Sequence, residues 1–210
     1  YPHLRKTWYL VAAAALSVSN RPEDVPILFK YALEHEAGSD QAAQKEIADR
    51  LREAILKSGA LGGIPKTINS LMRLKDATPA HLRQEKPIRT ERSAEENYRI
   101  GKEFFDRVYT KISNRVFTQM STSYPDLAQY VIPHAYGALL SFTGILTAKE
   151  TSLVIIASLV PQDVNPQLKG HLKGALNNGA SKEETMSARA LALDITTSSG
   201  ITLSTPPAKL

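Results

Sequence analysis

Glu150 and His171 are the residues of this chain whose types and spacing suit acid–base chemistry. An imidazole titrates near neutrality. A carboxylate beside it can orient or charge the ring, and an apolar setting tunes both groups. Such a pair can take a proton from carbon or return one to it. His134 and Tyr136 lie a short way upstream and could line the same pocket. Each residue also has a plain structural reading. Glu150 stands where a helix-capping glutamate belongs, and a lone histidine on an apolar stripe is commonly a satisfied core residue.

Other chemistry lacks its residues. Without cysteine there is no thiolate nucleophile, disulfide or thiolate metal site. His3, His35, His81, His134 and His171 are too dispersed for a zinc site. No glycine-rich phosphate loop and no serine nucleophile elbow occurs. The expectation is therefore a site with no metal and no cofactor.

Helices must position the pair. Thr147 and Glu150 have the form of a capping box, a hydroxyl and a carboxylate serving two orphan amides. The run from Leu153 to Val160 is apolar on every face, so protein must surround it. Pro161 ends it. Asn165 as N-cap and Pro166 at the first helical position restart the chain. Leu168, His171, Leu172, Ala175 and Leu176 then fall on one helix face, and Asn177-Asn178-Gly179 stops it. Ser181 and Glu184 form a second capping box.

These segments carry a resemblance. LTAKETSLVIIASL, QLKGHLKGALNNGASKEE and, upstream, YGALLSFTGIL resemble the carboxymuconolactone decarboxylase (CMD) family, which includes the AhpD-like alkylhydroperoxidases. The resemblance covers about residues 127–195. It implies an all-α, AhpD-like fold of eight or nine helices, assembly into trimers or hexamers, and catalytic roles for Glu150 and His171. AhpD-like members carry a Cys-x-x-Cys pair before the histidine, where this chain reads Pro161 to Gln167. Thiol peroxidase chemistry is thereby excluded. What remains is a decarboxylase or lactone chemistry, in which an enolate is stabilised and a proton is delivered to carbon.

The N-terminal half also reads as helix. Trp8 to Leu16 is an alanine-rich core helix, followed by a helix opened by Arg21-Pro22-Glu23-Asp24 and ended by Gly38. Ser39 caps a third helix that Gly59 stops, and Pro65 starts a fourth. Leu51 to Gly59 resembles Leu172 to Gly179, which suggests a degenerate internal duplication in which Thr7 stands near the Glu150 position. Residues 1–76 form this half, 77–93 a basic linker, 94–200 the CMD-like domain and 201–210 an extended tail. The linker reads as a solvated connection or as an anion-binding loop. Ser93 and Glu96 form a third capping box and open one long amphipathic helix to about residue 120.

Hydrophobic content of 42% and charged content of 22% fit a globular protein with a substantial core. A net charge of +5, with the basic residues scattered, suits a small anionic organic substrate and gives no nucleic-acid signal. No apolar run is long enough to span a membrane. Ala208-Lys209-Leu210 is similar to the Ser-Lys-Leu peroxisomal address, and Pro206-Pro207 would hold it extended for an import receptor. The expectation is a fungal-type, peroxisomal matrix member of the family, acting as a lyase-like enzyme. The alternative is a non-catalytic oligomeric binding or assembly protein.

Overall fold

The computed structural model describes residues 1–210, which form helices joined by short turns and no strand. The helices are α1 (Trp8–Val18), α2 (Val25–Ala32), α3 (Gln41–Gly62), α4 (Ile64–Ala77), α5 (Ala94–Tyr109), α6 (Ser113–Ser123), α7 (Pro125–Tyr130), α8 (Ala148–Leu159), α9 (Asn165–Asn177) and α10 (Lys182–Ser198). Two of them continue as π-helix, α2 through Leu33–Ala37 and α7 through Val131–Leu140.

Local chemistry sets most boundaries. Of the three expected capping boxes two form, Thr147 with Glu150 and Ser181 with Glu184. Ser93 accepts from the Glu96 amide, but no reciprocal bond closes that box. At α3 the cap is Asp40, whose carboxylate accepts from Ala42 and Ala43, rather than Ser39. The same helix runs through Gly59, which takes Thr67 against its bare face, and stops at Gly63 (φ 99°). The helix expected to reach residue 120 is broken at Thr110, where φ of 46° turns the chain between α5 and α6. Asn165 is the first residue of α9 and makes no cap; its side chain instead holds the C-terminal tail.

One contiguous hydrophobic core takes residues from Leu4 to Ala192. The mostly buried α1 and α8 lie at its centre, packed on each other and both on α3 and α10. Every residue from Thr151 to Leu159 is buried, as an apolar-all-round helix requires. α9 packs on α8, and α3 on α1. α5 lies against the π-helical segment backbone to backbone. A Cβ on Gly101 would sit 2.1 Å from the Ile132 carbonyl oxygen, and one on Gly137 would sit 2.0 Å from that of Asn97.

The tail folds back onto α9 and α10. Arg189 donates to the carbonyls of Pro207 and Ala208, and Asn165 accepts from the Ala208 amide at 2.6 Å. Lys209 and Leu210 remain exposed. No helix is long and apolar enough to cross a membrane.

Candidate functional site

Glu150 sits in the first turn of α8. Its Oε2 accepts from the Thr147 amide and hydroxyl, both at 2.9 Å, and its Oε1 accepts from the Arg50 guanidinium of α3. Arg50 also reaches Glu46 at 3.0 Å and lies over the Tyr9 ring, 5.6 Å from its centre. Arg50 and Glu150 are nearly enclosed, with side-chain exposures of 11% and 14%. Burial pushes the Tyr9 phenol beside them up to about 12.

His171 is buried on the apolar stripe of α9, 6% exposed. Its Nε2 lies 3.2 Å from the Tyr109 hydroxyl at the end of α5, and Tyr136 donates to that hydroxyl at 3.4 Å. Phe105 packs edge-on to Tyr136 and tilted on Tyr109. Loss of water drives the imidazole down to about 4 and raises both phenols. The result is a neutral imidazole–phenol chain in an apolar wall. No hydrogen bond joins it to Glu150: one residue faces α3, the other faces α5. His134 and Tyr136 part in the same way. Tyr136 enters the buried chain, while His134 is exposed and tilts against the Tyr130 ring. Tyr109 gave no sequence signal, because it lies 62 residues before His171 on another helix.

α3 also carries a buried ionic group. Lys57, fully buried, donates to Thr151 Oγ1 and the Phe142 carbonyl at 2.6 Å, with Glu53 Oε1 at 3.7 Å. Burial lowers Lys57 to about 8. Arg89 closes on Glu53 at 2.5 Å and stacks over Phe142, 4.3 Å from the ring centre. A cavity of about 710 Å³ opens beside Glu53, between α3, α4 and residues 78–89. Neither Glu150 nor His171 lines it. No group of histidine and carboxylate side chains could hold a metal ion.

Residues 125–201 match the Carboxymuconolactone decarboxylase family, a segment that spans α7 through α10 and includes both Glu150 and His171. Over most of the chain, a protein of Schizosaccharomyces pombe named "Peroxisomal protein 2" is 45% identical, with 92% of this chain and 87% of the relative covered. The protein of the same name in Saccharomyces cerevisiae is 36% identical, covering 100% of this chain and 94% of the relative. No solved structure matches. With that likeness this is a peroxisomal protein, and the chain belongs to the carboxymuconolactone decarboxylase family.

Proposed function

We propose that this protein is a CMD-like, cofactor-independent enzyme of the peroxisome that moves a proton on a small carboxylated or acyl substrate, with His171 as the proton-carrying group. The observation that supports it is the buried chain His171–Tyr109–Tyr136. Withdrawal of a proton, or departure of carbon dioxide, leaves an enolate on such a substrate. A neutral imidazole can take a proton from carbon, and a phenol hydrogen-bonded to it can donate to the enolate oxygen. Glu150 is the second acid–base group of this reading, and Arg50 is the cation it works against. Of the proposed substrate-binding residues His134 and Tyr136, only the second belongs to the buried chain. Ala208, Lys209 and Leu210 are the import address.

A metabolite comparison of cells carrying wild type, His171→Ala or Tyr109→Phe tests this reading. It expects one carboxylated or acyl compound to accumulate in both variants. An unchanged profile at normal protein abundance counts against it.

A specific observation favours a second reading, the non-catalytic oligomeric binding or assembly protein. The Glu150 carboxylate is already engaged by its own helix amide and by Arg50. Ile64, Ile68 and Met72 form an exposed apolar stripe at four-residue spacing along α4. A trimer or hexamer that covers this stripe fits either reading, and light scattering on a size-exclusion column measures it.

A further inference from the structure

The cavity beside Glu53 lies outside the segment that matches the family, apart from Ile145, and uses neither Glu150 nor His171. Its volume of about 710 Å³ is within the range of ligand pockets, roughly 300–1,000 Å³. The lining has two characters. Leu56, Leu71, Pro87, Ile88 and Ile145 supply apolar surface, which the stems of the basic side chains extend. The charged residues are Arg52, Lys75, Arg83, Lys86 and Arg89 against Asp49, Glu53 and Glu85, an excess of cations.

The pairing within that set decides which charges are available. Asp49 is held by Lys45 and Arg52, and Glu53 by Arg89 and Lys57. Arg83 donates through Nε to the Thr78 carbonyl at 3.2 Å but meets no carboxylate. Lys75 and Lys86 have no side-chain partner, and both are exposed, as is Arg83. Three cations without a carboxylate partner, Lys75, Arg83 and Lys86, therefore stand with one acid in the same state, the exposed Glu85, around an apolar hollow whose inner acids are already neutralised. Arg89, fixed between Glu53 and Phe142, keeps a buried Nε without an acceptor. A neutral ligand would leave this excess charge unused, and a cation would be repelled by it. An inorganic anion would leave the apolar wall wet.

From this we infer that the cavity between α3, α4 and residues 78–89 is a binding site for a carboxylate with an aliphatic or aromatic body. The body packs on Leu56, Leu71, Ile88 and Ile145, and the head group meets Lys75, Arg83 and Lys86. The segment 78–89 is then the wall of a binding site and not a plain connection.

Calorimetric titration of the full chain with decanoate, decylamine and inorganic phosphate tests the site without reference to catalysis. Saturable binding of decanoate at one per chain, with no binding of decylamine or phosphate, is expected. The exposed double variant Arg83→Glu/Lys86→Glu should weaken decanoate at least tenfold, and Ile88→Asp should do the same from the apolar side. His171→Ala should leave the titration unchanged, which separates this site from the proton-transfer reading. Absence of decanoate binding, equal binding of decylamine, or an unweakened double variant whose circular dichroism matches wild type would overturn the inference.

Discussion

His171 and Lys57 are titratable groups that the fold has taken out of water, and each makes stability depend on pH. The folded imidazole is depressed from its usual 6.5 to about 4. Between those values the unfolded chain binds a proton that the folded chain refuses. The stability contributed by neutral His171 is complete above pH 6.5 and is lost as pH falls towards 4, at up to about 1.4 kcal/mol per pH unit. His171→Gln should therefore flatten the acid limb of thermal stability between pH 6.5 and 4, as read by melting temperature. A variant as acid-sensitive as wild type would show that the imidazole is not held neutral. Lys57→Ala removes one cation from buried Glu53 and leaves Arg89 as its remaining partner. Loss of one member of such a group costs about 3–5 kcal/mol, and denaturant titration should show a fall of that order. At this scale the sequence was a partial guide. The types and spacing of Glu150 and His171 could be read, but Arg50 and Tyr109 come from helices far away in the chain. Burial of Lys57 left no mark, since lysine at that helix position suits a solvated face equally well.

The helices show which signals act locally. Capping boxes were legible because cap and third residue are close in sequence, and two of the three formed, Ser93 making only the one-sided cap. Ser181→Ala should cost about 1 kcal/mol, seen as a lower melting temperature. The break at Thr110 was not legible, because a threonine with positive φ has no propensity behind it; tertiary packing imposes it. The contact between α5 and the π-helical segment was equally silent. Gly101 and Gly137 look like ordinary helix-weakening residues until the two backbones meet. Adding one methyl at either position forces the elements apart. Gly101→Ala or Gly137→Ala should destabilise by about 2 kcal/mol or more, although alanine is the better helix former. A variant of unchanged or raised stability would mean that the elements separate freely. That contact also sets Tyr136 against Tyr109, so displacement of the segment should reach the His171 chain.

For the whole molecule, composition and periodicity were enough to give an all-α fold, and the ordered landmarks of residues 127–195 pointed to the family shown by the match over 125–201 together with the relatives over most of the chain. The basic segment 77–93 was read in two ways, and its fold over the cavity was not legible, because its partners Glu53 and Phe142 lie outside it. The tail was read as free and extended; instead Arg189 and Asn165 hold Pro207 and Ala208 to the body of the protein. A reporter carrying residues 201–210 at its C-terminus should enter peroxisomes if the proposed address is correct, and a diffuse cytosolic signal would reject it. Proton transfer at His171 is most directly read by isotope uptake. Purified wild type and folded His171→Gln would be incubated in deuterium oxide with a peroxisomal small-molecule extract and followed by mass spectrometry. Wild type should place solvent deuterium on carbon in a carboxylated or acyl compound, with or without loss of carbon dioxide, and the variant should not. Identical spectra from the two proteins would contradict a proton-carrying role for this histidine.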